Sequence, residues 1–296
     1  MKLKTNAEKL AKQAVLGEVS APVSHTSRRW RVSPDGEPNI LPGVGGITYN
    51  CKVGHNALEW ATDHMEPGVS VKNNDKSANA GLNLLACVGN TATVVSGDAK
   101  GDCGIVTGKH GGIEHVLMDF PDSTLEKLII GDKIQVRACG LGLKLMDFPQ
   151  VKLSNLDPGL LDEMDLVANG QQLRVPVART IPAEIMGAGI GPGDVYTGDY
   201  DIQLSDEKVV DEHDLKELRM GDIVAITDAD HSYGRIYRTG AVSVGVVVHS
   251  RCTQSGHGPG VTTLMTSAEG AIEPVLDETA NLAHLLGIGT QRAGEE

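Results

Sequence analysis

His110 and His115 stand on either side of Gly111-Gly112-Ile113-Glu114, and a glycine turn between them would let both imidazoles face one cleft. Asp98 and Asp102, in the preceding Gly-Asp-rich turn, could add a carboxylate. Neutral imidazole nitrogen supplies affinity for a divalent cation and a carboxylate supplies compensating charge, so this set reads as a candidate site for zinc, manganese or iron. The same residues also fit plainer roles, with His110 on an exposed turn and His115 at a strand edge.

A second segment, 186–201, carries Gly187, Gly189 and Gly191, whose amides an anion or carbonyl oxygen could approach as a ligand-binding surface. Asp199 and Asp201 follow two positions apart. On a strand they would share a face, which suits Asp201 as a metal ligand and Asp199 as a catalytic group, whereas on a turn they would be solvated caps. In a third segment, 228–260, Asp228, Asp230 and His231 follow an expected strand and His249 ends a Val-rich one. There His257, flanked by Gly256 and Gly258, could enter a tight concavity and stabilise developing oxygen charge, with Gly258 beside the ligand.

Several known signatures are not met. Residues 104–110 imitate a phosphate loop, but His110 stands where a magnesium-binding hydroxyl belongs. The alternating glycines at 187–191 run into Pro192 rather than a helix, which disfavours a dinucleotide fingerprint. Thr262 and Thr263 are internal and lack the activating amine that a threonine nucleophile needs.

The elements that must position these groups read mostly as short strands. Residues 82–88, 92–95, 104–107 and 113–118 are broken by Gly-Asn, Gly-Asp and His-Gly-Gly turns. Gly131-Asp132 and Gly221-Asp222 each lead into an alternating strand, at 133–139 and 223–227, and 173–177 and 242–249 complete the set. Helices are expected at 6–16, at 56–64 with Asn56 as cap, at 157–164 with Pro158 in its first turn, and at 274–286 ended by Gly287. The expectation is a mostly β fold with a barrel-like or sandwich-like module and peripheral short helices. An α+β arrangement is the alternative, and doubly wound α/β is weakened by the lack of regularly spaced long helices. Residues 1–296 are expected to form one compact unit, with an internal division into 1–169 and 170–296.

Composition narrows the function. With only two Phe and two Trp, any core must be filled by aliphatic side chains. A formal charge of -13 and the absence of a basic, aromatic-interleaved stripe argue against nucleic acid as a partner. No run approaches membrane-span length and no apolar leader segment follows the first charges, so no membrane partner and cytoplasmic residence are expected. The five cysteines are widely spaced without a C-x-x-C pair, which fits reduced thiols. A Pro/Gly/Ser-rich passage at 21–46, with Arg28, Arg29, Trp30 and Arg31, reads as a surface loop or as an arm across a partner subunit in a homo-oligomer.

The segments 181–187, 198–202 and 249–264, with Ile181-Pro182-Ala183-Glu184-Ile185-Met186-Gly187, Gly198-Asp199-Tyr200-Asp201-Ile202, and His249-Ser250 running into Gly256-His257-Gly258-Pro259-Gly260-Val261-Thr262-Thr263-Leu264, resemble the DUF4438 family over nearly all of the chain. That resemblance implies a soluble, mostly β protein and carries no activity to transfer. A fainter resemblance, to the acetamidase/formamidase family, implies a fold neighbourhood and amide hydrolysis, although Tyr200 stands where that family has His. Taken together, the residues point to a metal-assisted hydrolase of a small amide or related carbonyl compound. The competing expectation is a non-catalytic small-ligand-binding or structural assembly protein.

Overall fold

The computed structural model describes residues 3–23, 30–191 and 194–294. Arg28 and Arg29 of the basic cluster, and Pro192, lie outside the described residues. The fold is predominantly β-sheet, as expected. Strands Gln13–Val19, Lys133–Ala138, Thr91–Val94, Cys103–His110, His115–Asp119 and Gly68–Lys72 pair in that order. The last then pairs with the first through Glu18 and Lys72, so an antiparallel six-stranded barrel closes. Closure removes the exposed edges that an open sheet would carry. Lys133–Ala138 shows the cause at residue level: Ile134, Val136 and Ala138 are buried while Lys133, Gln135 and Arg137 face out. Val71, Val94, Val106, Val116 and Met118 fill the interior together with Phe120, an aliphatic core of the kind the composition demanded.

Beyond the barrel lies a five-stranded sheet in the order Lys152–Leu153, Val261–Ser267, Ile236–Val247, Ile223–Asp230 and Arg179–Pro182, with the last pair parallel. A smaller sheet of Val167–Asn169, Gln172–Val177 and Ile272–Leu276 packs with it into a second aliphatic core that includes Leu173, Val175, Val244 and Ile272. The two Gly-Asp turns are the same device. Gly131 and Gly221 both have positive φ, at 92° and 87°, and Asp132 and Asp222 each accept a hydrogen bond from the amide three residues earlier, at Ile129 and Arg219.

Four local expectations are corrected. Residues 6–16 form a 3-10 turn at Ala7–Lys9 and then the strand Gln13–Val19, because pairing on both sides closes the barrel and overrides helical spacing. Residues 82–88 belong largely to the helix Lys76–Leu85, which starts at an Asp75 side chain accepting from the Ala78 amide and packs Leu82 into the barrel core. The 274–286 stretch splits into the strand Ile272–Leu276, paired in parallel with Gln172–Val177, and a short helix Leu282–Leu286 that Gly287 ends in the left-handed conformation. Residues 56–64 form no helix, and Asn56 Oδ1 accepts from the Leu58 and Glu59 amides in an irregular turn instead. The helix expected at 157–164 is present as Pro158–Glu163, with the Asp157 side chain as its cap.

One junction decides where the chemistry sits. The barrel strand Cys103–His110 runs against the five-stranded sheet, where the Lys109 amide donates to Thr262 Oγ1 and that hydroxyl donates back to the Lys109 carbonyl. A Cβ on Gly108 would overlap Val248, so only glycine permits this approach. The contact brings His110, at the strand's end, beside His249, which follows Ile236–Val247.

Candidate metal centre

Four imidazoles converge here. The His110 and His249 ring centroids lie 4.4 Å apart, and those of His64 lie 5.5 Å from His110, 5.0 Å from His249 and 5.4 Å from His257. Asp199 and Asp201 join them from an extended segment that Asp201 pairs to Gly260, with Tyr200 between them buried in the core. Donor atoms of His64, His110 and His249 lie within 4.8 Å of one another, as do those of Asp199, Asp201 and His249, and those of His64, Cys252 and His257.

Each ring is aimed from behind. His110 Nδ1 bonds Glu66 Oε1 at 2.5 Å, His249 Nδ1 bonds the Ser250 carbonyl at 2.9 Å, and His64 Nδ1 bonds Asp63 Oδ1 at 3.2 Å. Carbonyl and carboxylate oxygens accept, so each Nδ1 carries a proton, and Nε2 is the nitrogen that a metal ion would take. His249 Nε2 meets Asp199 Oδ2 at 2.7 Å, and His64 Nε2 lies 3.9 Å from Asp201 Oδ2. Pinning the outer nitrogen of an imidazole to a carboxylate or carbonyl is the arrangement that orients metal-binding histidines. The donor set therefore fits a divalent ion.

Glu66 is the buried anchor. It enters just before the strand Gly68–Lys72, and its carboxylate accepts from the Gly45 amide at 2.7 Å, from Ser70 Oγ, from His110 Nδ1 and from His115 Nδ1 at 3.0 Å. Burial alone would raise its pKa, but His110 and His115 outweigh that and hold Glu66 well below the ordinary carboxylate range. His110 is raised in return, the charges of Glu66 and Asp199 overcoming its own desolvation. His249 and His110 likewise keep Asp199 ionised against its burial.

His64 adopts φ 57°, a left-handed conformation rare for a non-glycine residue, and its amide is held by the Arg251 carbonyl. Such strain concentrates where a side chain must be aimed. Burial opposes charge on the ring, yet the carboxylates of Asp201 and Asp63 beside it lift it from 6.5 to about 10. A base raised in the folded state stabilises the fold fully below its unfolded value and loses that contribution as pH rises through the folded one. Metal-free protein is therefore expected to lose melting temperature between pH 6.5 and about 10. His64→Gln should flatten that loss, which a calorimetric pH series reads.

The residues singled out from the sequence separate in space. His110, Asp199, Asp201 and His257 come together, with His257 Nδ1 bonded to Asp201 Oδ2 at 3.0 Å. His115 does not face the cleft: it is fully buried behind His110, its Nδ1 on Glu66 and its Nε2 3.0 Å from Ser20 Oγ, so its place is that of a support. Asp98 and Asp102 are not brought to the cluster. They precede the strand Cys103–His110, whose eight residues span roughly 25 Å before His110 is reached. Asp102 is tied instead to Thr124 and Lys127, and Asp98 is exposed. Among the glycines, Gly189 lines the cleft. The Gly187 amide is taken up by the Asp201 carbonyl, that of Gly191 by the Arg235 carbonyl, and that of Gly258 by the Asp201 carboxylate. His231 lies outside the cluster, its Nδ1 bonded to Thr263, and burial drives it down to about 3, so it is neutral.

His64, Glu66 and Asp63 were not singled out, because 56–64 reads as a helical turn and Glu66 stands alone before Pro67-Gly68. Nor does the sequence mark Gly260 as a point of close approach. A Cβ there would overlap Asp199 Oδ2 and His249 Nε2. Gly260→Ala should push those two groups apart and cost about 1–3 kcal/mol of overpacking. Metal retention after desalting should fall with it, while far-ultraviolet circular dichroism stays that of the wild type.

The cluster forms the floor of a cleft of about 710 Å³. Its sides carry Arg31, paired to Asp63 at 2.5 Å, and the largely buried Arg235, which bonds the Gly189 and Thr197 carbonyls. Trp30, Ile40 and Ile190 form an apolar rim and are all more than half exposed. Beneath the floor, the Lys109 ammonium is wholly buried and donates to Asn155 Oδ1 and the Tyr196 carbonyl at 2.6 Å each, which anchors the segment leading to Asp199. Desolvation lowers it to about 8.

Residues 30–162 match the family model described as domain of unknown function (DUF4438), N-terminal, and residues 163–286 match its C-terminal counterpart. No curated protein matches the chain. A solved structure titled "Crystal structure of TM1086" is similar at 46% identity and a TM-score of 0.91, covering 96% of this chain and 99% of that one. None of these matches links the chain to the acetamidase/formamidase family.

Proposed function

The chain belongs to the DUF4438 family through both its N-terminal and C-terminal parts, and from this site we propose that it is a metal-assisted hydrolase of a small amide or related carbonyl compound. One observation carries the reading: His64, His110 and His249 each have Nδ1 bonded to an oxygen outside the donor set, which leaves their Nε2 atoms for a common centre beside Asp199 and Asp201. His110, His249 and Asp199 would hold a divalent ion, with zinc, manganese and iron all compatible with nitrogen and carboxylate donors. When bound, such an ion lowers the pKa of a water toward neutrality and polarises a carbonyl oxygen.

The chain's own residues supply the rest. Glu66 and the Ser250 carbonyl keep His110 and His249 in one tautomer, so their donor atoms need no reorganisation. The Gly111 amide fixes Asp199 through Oδ1 at 2.8 Å, while Oδ2 lies 2.7 Å from His249 Nε2, where an ion would take both atoms. His257 is the most exposed imidazole of the set and stands on the side from which a substrate enters, held by Asp201. The apolar rim of Trp30, Ile40 and Ile190 would shed water from an acyl group above the floor.

The test is elemental analysis of protein expressed with metals supplied, followed by assay of a panel of small primary amides with and without chelator. The reading expects bound metal and chelator-sensitive release of ammonia. Protein that binds no metal and turns over none of the panel would sink it. A second reading, a non-catalytic small-ligand-binding protein, is favoured by the cleft's volume and apolar rim. Metal bound with ligand affinity but no turnover would select it.

A further inference from the structure

Resting on the metal-dependent reading above, we infer that the cleft holds two divalent ions, the second bound by His64, His257 and Asp201 with Cys252 beside them. A catalytic ion keeps an open position and takes about three protein ligands, and His110 and His249, with Asp199 Oδ2 2.7 Å from His249 Nε2, would fill that number. His64, His257, Asp201 and Cys252 remain, all within the same cluster, and no single ion that leaves room for a substrate can use them as well.

These remaining donors form a set of their own. The ligating atoms of His64, Cys252 and His257 lie within 4.8 Å of one another. Asp201 Oδ2 sits 3.0 Å from His257 Nδ1 and 3.9 Å from His64 Nε2. Asp201 also groups with Asp199 and His249, so its carboxylate reaches both sets. That is the placement of a bridging carboxylate between ions about 3.5–4 Å apart. The backbone enforces it, because Asp199 and Asp201 flank a buried Tyr200 and Asp201 is locked to Gly260 by pairing. Asp63 completes the second set from behind: it holds His64 Nδ1 and is itself held by Arg31 and the Thr253 amide. This is the part Glu66 plays for His110.

The two sets also differ in exposure. His110, His249 and Asp199 are buried, whereas His257 and Cys252 are partly exposed and His257 lines the cleft. The second ion would therefore exchange faster than the first and be lost first on dilution.

The full-length chain held at equilibrium with Mn²⁺ gives the test, with bound metal per chain from equilibrium dialysis and low-temperature electron paramagnetic resonance read on the same sample after subtraction of the free-ion signal. Two ions per chain and an exchange-coupled spectrum are expected, and His257→Ala should retain one ion with an uncoupled six-line signal. One ion per wild-type chain with an uncoupled spectrum would overturn the second site and leave the single-ion reading standing. No ion with either Mn²⁺ or Zn²⁺ would overturn both. The wild-type spectrum decides the matter even if the variant folds poorly.

Discussion

Replacing Glu66 by leucine should cost about 3–5 kcal/mol of folding stability, the penalty of leaving the buried partners of a removed charge unpaired. Glu66 is fully buried and takes hydrogen bonds from the Gly45 amide, Ser70, His110 and His115, so four donors lose their acceptor at once. Glu66→Gln keeps the shape and removes the charge. It should unfold less readily than the leucine variant, yet lose about 10–100-fold in metal affinity, because His110 is no longer held in the tautomer that offers Nε2. Denaturant unfolding and metal competition titrations on the two variants separate the effects. Equal stability of wild type and Glu66→Leu would show that the Glu66 cluster is not the anchor its geometry describes.

Asp199→Ala should abolish turnover with little change in fold. Its carboxylate bonds the Gly111 amide through Oδ1 and His249 Nε2 through Oδ2, so it ties the barrel to the C-terminal sheet as well as facing the centre. An ion that supplies several kcal/mol of charge stabilisation is lost with its ligand, and each 1.36 kcal/mol is tenfold in rate, so amide hydrolysis should fall roughly 10³-fold or more. Asp102→Ala is the matched control. That residue pairs with Lys127 at the surface and should leave rate and metal content unchanged. If the two variants behaved alike, the placement of the centre would be wrong.

Much of the architecture was legible because it depends on local periodicity. The alternation in 133–139 and the Val-rich run 242–249 read directly as strands, and the structure has Lys133–Ala138 and Ile236–Val247 there. Residues 6–16, 82–88 and 274–286 carry spacing compatible with more than one element. Partners remote in sequence settled the first and last, through the barrel seam at Gln13–Val19 and the parallel pairing of Ile272–Leu276, whereas 82–88 was drawn into a helix begun locally at the Asp75 cap of Lys76–Leu85. For the site, glycine-flanked histidines and paired aspartates led to His110, Asp199, Asp201 and His257. His64 and Glu66 gave no comparable signal, since a lone buried glutamate and a histidine in a left-handed turn look like any loop residues until the chain is folded.

The Asp/His segments from which the reading started thus divide by cause. Residue type and spacing alone determined that imidazole and carboxylate donors would recur beside glycine turns, that the core would be aliphatic, and that strands would dominate. Which donors meet was decided only by the tertiary structure. The strand Cys103–His110 carries His110 and leaves Asp102 at its other end, and the approach of Gly108 to Val248 sets His110 against His249. Coordination needs atoms within a few ångströms, and distances on that scale between residues 64, 110, 199, 249 and 257 are set by barrel closure and sheet packing, on which sequence proximity has no bearing.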